Sequence, residues 1–178
     1  KSNNLLSAIN AWNKTHLLVI GDTIIDQYAA CEPLGLSAEA PVVVVKELKR
    51  KDFIGGAAIV ASHINALGSQ CTFLSVTGDD ELANKTYDEL TQQGINTNLI
   101  RDNSRPTTFK KRYIVENQKL FRVSRLEDHK LDKEKEELVI SKLRKFASKV
   151  NGIVVSDFVY GVITENILEE IRFLSKKY

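Results

Sequence analysis

Methionine is absent from all 178 positions, so the chain reads as one that does not begin at its own initiator. Cysteine occurs only as Cys31 and Cys71, in no metal-like or redox-like spacing. That leaves reduced, buried thiols of a cytoplasmic protein as the economical reading. No stretch approaches the roughly 18 apolar residues of a membrane span. The N-terminal KSNNLLSAINAW lacks the apolar core of a signal peptide, and neither feature argues for a membrane. Charge of one sign is also missing: a net +2 is too small to argue for nucleic acid. Repeats, low-complexity linkers, a Walker-A sequence and G-x-G-x-x-G are all absent. What remains has the apolar and charged content of an ordinary soluble protein, and is long enough for one domain with a real core.

The chain is organised around Arg50 to Gly68, RKDFIGGAAIVASHINALG. From Ala57 the apolar residues recur at Val60/Ala61, Ile64 and Leu67, which is helical spacing, and Gly68 is placed as a C-terminal stop. Gly55 and Gly56 open that helix. Two readings fit the pair: a tight turn needing positive φ, or bare backbone that a polar ligand approaches at a helix N-terminus.

Around this segment, buried strands and covering helices alternate. Asn3 to Lys14 predicts an amphipathic helix with Leu5, Leu6, Ile9 and Trp12 on one side. HLLVI, Gln70 to Val76 and Gly152 to Val155 read as strands buried on both faces, and Ile95 to Ile100 as a short one. Helices are expected over Glu81 to Gln93 (burying Leu82/Ala83, Tyr87 and Leu90), Leu131 to Lys149 and Thr164 to Ser175. The order argues for a mostly parallel sheet flanked by helices. Asp22 and Asp26 follow the first strand, where open α/β sheets bind ligands, although aspartates there also serve as caps and turn formers. Residues 28–53 read as an exposed pair of extended segments, a flap over a ligand or an edge offered to a second subunit. The Lys46 to Lys51 charge run within it reads as a solvated face. Residues 105–125 read as a β-hairpin crowded with cations, among them Arg105, Lys110 and Arg112. Lys110 and Arg112 share one strand face and could hold a phosphate; edge lysines that discourage aggregation are the competing reading.

In this order and spacing, GDTIIDQY, EAPVVVV, GGAAIVASHINALG, VTGDDELA, RPTTFKKRYI and SDFVYGVIT resemble the PfkB (ribokinase-like) carbohydrate kinases. Within them the chain looks most like the heptose 7-phosphate kinase domain of bacterial bifunctional ADP-heptose synthesis proteins. The resemblance implies a ribokinase-like α/β fold with a small inserted β lid over 28–53, which covers the sugar and frequently mediates dimers. It also implies transfer of the ATP γ-phosphoryl group to a sugar hydroxyl with Mg²⁺. By position, Asp26 corresponds to the aspartate that binds sugar hydroxyls, and Gly55 and Gly56 to the glycines against the ring. If the substrate is a sugar phosphate, Lys110 and Arg112 are the candidates to meet its phosphate across the site from Asp26; Arg105 counts among the substrate-binding residues, as does Asp157, which falls in the family's SDYxKG segment. The chain departs from the pattern at Ile59, where the family usually has asparagine, and at Phe158 and Tyr160 around Asp157. The family's Gly-Ala-Gly-Asp motif, which holds the catalytic base, is absent, and Gly78-Asp79-Asp80 cannot replace it. Residues 1–178 are therefore expected to be an incomplete kinase domain, the sugar side without the ATP-binding half and with no catalytic residue of its own. A non-catalytic sugar or nucleotide-sugar binding module, or an assembly module, is the alternative.

Overall fold

The computed structural model describes residues 2–178. Helix α1 (Ser2–Ala11) and a 3-10 turn at Trp12–Lys14 lead into eight strands and four further helices. These are β1 (His16–Gly21), β2 (Thr23–Leu36), β3 (Val43–Gly56), α2 (Ala57–Ala66), β4 (Gln70–Thr77), α3 (Glu81–Gln92) and β5 (Asn96–Arg101). Then come β6 (Thr108–Val115), β7 (Gln118–Arg125), α4 (Lys133–Ala147), β8 (Gly152–Ser156) and α5 (Glu165–Lys177).

Strands β5-β4-β1-β8 form a wholly parallel sheet in that order. Because side chains alternate along a strand, β1 divides its apolar residues between two cores. Leu18 and Ile20 join Leu74, Val76 and Ile100 beneath Val139 and Leu143 of α4 and Ile167 and Leu174 of α5. Val19 and Phe73 take the other face, against Ala57, Ala58 and Ala61 of α2 and Leu90 of α3. Each such side chain contributes about 1.5–3 kcal/mol on burial, so the three layers are held from both sides of β1 and β4. The helices begin where the sequence places caps: Asp80, Asp132 and Thr164 each accept a backbone N–H from the first turn.

A second sheet, ordered β3-β2-β6-β7, joins the inserted β2–β3 lid to the basic β6–β7 hairpin. Strand β2 follows β1 after the single residue Asp22, pairs antiparallel with β3, and pairs parallel with β6 along its other edge. Flap and hairpin are thus one surface. Between β6 and β7 the two turn residues Glu116 and Asn117 both have positive φ, 49° and 69°, the twist that suits a two-residue hairpin.

Three packing expectations also change. Tyr87 of α3 is exposed and Thr86 is buried in its place, its hydroxyl donating to the Leu82 carbonyl at 2.8 Å. Leu5, Leu6, Ile9 and Trp12 are exposed, so the α1 stripe meets no core among the described residues. Strand β8 is an edge strand, half-buried rather than buried on both faces, with Val155 37% exposed.

Candidate sugar site

Strand β2 is the middle of the site because its register aligns three strands. Asp26 lies opposite Phe53 of β3 and Lys110 of β6; Tyr28 lies opposite Lys51 and Arg112. Alternation then puts Asp26, Tyr28, Lys51, Phe53, Lys110 and Arg112 on one face, with Arg122 of β7 next to Arg112. A cleft of about 710 Å³ opens on this face, lined among others by Asp26, Tyr28, Lys49, Lys51, Phe53 and Ile114. It has the mix that suits a small polar ligand: apolar walls with a few placed polar groups. Tyr28 and Phe53 meet edge to face, with centroids 5.6 Å apart. Lys51 and Arg112 stand over these rings at 5.0 and 5.3 Å.

Asp26 is held by Arg112, whose guanidinium donates to its carboxylate. The two side chains are 22% and 17% exposed, so the pair is partly screened and still reachable from the cleft. Arg112 was expected to face a phosphate across the site from Asp26; the structure joins it to Asp26 instead. Gly55 explains how the carboxylate fits. A Cβ there would lie 2.6 Å from Asp26 Oδ2, so only bare backbone leaves room. Gly56, at φ +61°, turns the chain into α2, and a Cβ there would meet the Asp22 carbonyl oxygen at 2.3 Å. That carbonyl accepts the Ala57 N–H at 2.8 Å and fixes the helix start against the β1–β2 junction. The positive-φ reading of the pair holds at Gly56, while at Gly55 the bare backbone makes room for the Asp26 carboxylate.

Lys110 is 9% exposed, and its Nζ lies 4.9 Å from the centre of the Tyr160 ring. Tyr160 sits in the loop after β8. Buried Asp22 binds that loop, accepting N–H bonds from Phe158 at 2.7 Å and from Tyr160 and Val162 at 3.4 Å. Burial pushes the Asp22 carboxyl above the usual carboxylate value, and the three N–H donors pull against it.

Two expected site residues lie elsewhere. Arg105 precedes β6 and is outside the hairpin; its side chain is 4% exposed. Its guanidinium donates to Asp102 Oδ2 at 2.7 Å, to the Tyr160 carbonyl at 3.0 Å and to the His129 carbonyl at 2.9 Å. With its donors so engaged, Arg105 knits loops together and does not reach the cleft. Asp157 is exposed at the end of β8, and its Oδ1 accepts the Val159 N–H at 2.7 Å in a local turn. Conversely, the Lys46 to Lys51 run, read as a solvated face, supplies Lys49 and Lys51 to the cleft wall. The signal was the alternation Lys49-x-Lys51-x-Phe53, in phase with Asp26 and Tyr28 once the hairpin register is known.

Residues 14–177 match the pfkB family carbohydrate kinases, and the chain belongs to that family. It is 35% identical over 167 residues to the bifunctional protein HldE of Aliarcobacter butzleri, covering 92% of this chain and 35% of the relative. It is 35% identical over 150 residues to the D-beta-D-heptose 7-phosphate kinase of Bordetella bronchiseptica, covering 84% and 47%. Among solved structures, phosphofructokinase-2 from Escherichia coli superposes with a TM-score of 0.70 at 13% identity, over 91% of this chain and 51% of that one. The fold is therefore ribokinase-like. The chain spans a third to a half of the length of these curated relatives.

Proposed function

We propose that this chain is the sugar-binding part of an ATP-dependent carbohydrate kinase acting on a phosphorylated sugar of the heptose 7-phosphate class. The observation that carries the reading is Asp26, which shares a strand face with Lys51, Lys110 and Arg112 and is set against the bare backbone of Gly55. A carboxylate accepts hydrogen bonds from two vicinal hydroxyls at once. The surrounding cations suit a phosphate on the same molecule, and the Tyr28 and Phe53 rings give the sugar an apolar wall. ATP supplies the γ-phosphoryl group and Mg²⁺ neutralises its charge in this class of reaction. Among the described residues no group of three or more His, Cys, Asp or Glu is placed to hold a metal. The contribution of these residues is to bind and orient the acceptor, a substantial part of such a barrier. The expected catalytic base belongs to a Gly-Ala-Gly-Asp motif that the sequence does not contain.

Calorimetric titration with heptose 7-phosphate tests the assignment. The wild-type chain should bind, and Asp26→Ala should lose about tenfold or more in affinity; equal affinities would refute it. The chain by itself should show no sugar-dependent ATP turnover. Turnover above background that Asp26→Ala abolishes would overturn that expectation.

An assembly role is compatible with this site. Leu34, Leu36, Val42 and Val43, at the far end of the β2–β3 hairpin, are 54–71% exposed. Such a cluster suits a second copy of the chain, a homodimer through the lid.

A further inference from the structure

We infer that Tyr160 is a positioning residue that seats the Lys110 ammonium for a phosphoryl group, and that Lys110, rather than Arg112, is the phosphoryl contact of this face. The inference rests on the sugar-site reading above and narrows it.

The two cations differ in what already satisfies them. The Arg112 guanidinium is joined to the Asp26 carboxylate. Lys110 is more deeply buried, yet no carboxylate lies within 4.0 Å of its Nζ and no acceptor takes its hydrogen bonds among the described residues. Its Nζ is not among the fully enclosed unpartnered polar atoms, so the ammonium keeps an opening through which an oxyanion can reach it. The Tyr160 ring, 4.9 Å away, offers its π face but accepts none of the three N–H bonds in the way an oxygen would. The lysine is therefore oriented and still able to bind an oxyanion.

Tyr160 is itself unusually constrained for a loop residue. Its N–H donates to Asp22 and its carbonyl accepts from Arg105, so buried charged groups hold the peptide on both sides. Asp22 also takes the Phe158 and Val162 N–H groups, and Asp102 fixes Arg105 in turn. No hydrogen bond to the Tyr160 hydroxyl is found among the described residues, so the ring face, and not the phenol, is what the arrangement uses. Lys110 lies opposite Asp26 in the β2–β6 register, which puts the phosphoryl seat one strand away from the carboxylate assigned to the hydroxyls.

A phosphoryl group could reach Lys110 on the sugar or on the nucleotide, and three probes separate the sources: heptose 7-phosphate, the same heptose without phosphate, and ADP with Mg²⁺. Each is titrated calorimetrically into wild type, Lys110→Met, Tyr160→Leu, Tyr160→Phe and Arg112→Lys. Tyr160→Leu should weaken phosphorylated probes roughly tenfold and Lys110→Met at least as much. Tyr160→Phe, which keeps the π face, should restore wild-type affinity, and the bare heptose should be unaffected by all three. Arg112→Lys should weaken heptose and heptose 7-phosphate together, because it disturbs Asp26. Loss confined to heptose 7-phosphate assigns Lys110 to the sugar's phosphate, and loss confined to ADP assigns it to the donor; either supports the inference. Unchanged affinities in Tyr160→Leu, or equal losses that include the bare heptose, overturn it and leave the sugar site standing. If the wild-type chain binds none of the three probes, the sugar site and the inference fall together.

Discussion

Replacing Arg105 by methionine separates two roles that the sequence alone does not distinguish, substrate cation and structural clamp. The substitution keeps most of the aliphatic stem and removes three hydrogen bonds, to Asp102, His129 and Tyr160. Asp102 Oδ1 keeps its bonds from the Ser104 N–H at 2.9 Å and hydroxyl at 2.6 Å, but Oδ2 loses its partner. Both side chains are almost fully enclosed, at 4% and 3% exposure. Breaking such a buried pair from one side costs about 3–5 kcal/mol, because a charge is left without compensation. Against a typical domain stability of roughly 5–15 kcal/mol this is a large share. With a urea slope of about 2 kcal/mol/M, the midpoint should fall by about 1.5–2.5 M. Arg105→Lys should recover only part of the loss, since one ammonium cannot bridge three acceptors at fork geometry. Asp102→Asn combined with Arg105→Met should be less damaging than the two single losses added together. Equilibrium urea unfolding followed by far-UV circular dichroism reads the wild type, the three single variants and the double variant. An Arg105→Met midpoint equal to wild type, together with weakened heptose 7-phosphate binding, would refute the clamp and return Arg105 to the substrate.

Gly55→Ala should displace the Asp26 carboxylate, destabilising the fold by about 1–3 kcal/mol and reducing heptose 7-phosphate affinity; undiminished affinity by titration would contradict the close approach. Asp80→Ala should cost about 2 kcal/mol in thermal or urea unfolding, since it uncaps α3 and frees the Thr107 N–H and hydroxyl. Burial raises the Asp80 and Asp102 carboxyls, but their hydrogen bonds outweigh it and hold both below the ordinary 3.8. Their stabilisation is therefore complete above that value and lost as pH falls through the depressed values, so acid unfolding below about pH 4 should weaken in Asp80→Asn and Asp102→Asn. Asp22, shifted upward, has the opposite sign: its ionisation lowers stability as pH rises through its folded value, a trend that Asp22→Asn should remove from a stability–pH curve. Placing lysine at Leu34, Leu36 and Val43 should leave a monomer by sedimentation, and an unchanged assembly would count against pairing through the lid.

The elements of the parallel sheet were legible because each carries a local signal. Leu17 to Ile20 is an apolar run with Leu18, Val19 and Ile20 fully buried; Gly68 and Gly94 stop helices; Asp80, Asp132 and Thr164 cap them. The second sheet was only half legible. Its strands announce themselves, but the parallel pairing of β2 with β6 joins residues some 84 positions apart, such as Asp26 and Lys110, and no local pattern encodes it. That pairing brings Lys110 and Arg112 to the face of Asp26, whereas Lys49 and Lys51 reach it through the β2–β3 hairpin register, and Arg105 lies outside both strands. The buried face of α3 was misjudged for another reason: Tyr87 and Thr86 both fit a helical repeat, and the smaller residue fits beneath the turn where its hydroxyl can bond Leu82. Asp26 and Gly55, singled out from their motifs, do lie together in space, whereas the placement of Tyr160 beside Lys110 needed the loop geometry that Asp22 and Arg105 impose.

The position of β8 carries a consequence for handling this polypeptide. Its described pairing is with β1 alone, so the opposite margin presents main-chain donors and acceptors to any extended segment that meets it. Strand β3 interleaves lysine and arginine along its length and β7 carries Lys119, Arg122 and Arg125, which discourage annexation by a foreign strand. The β8 sequence, GIVVS, has no such gatekeeper. Concentrated solutions should therefore recruit neighbouring molecules at β8 before any other strand margin, as intermolecular β-structure. The amides of Ile153 to Val155 are where loss of hydrogen exchange would first register it.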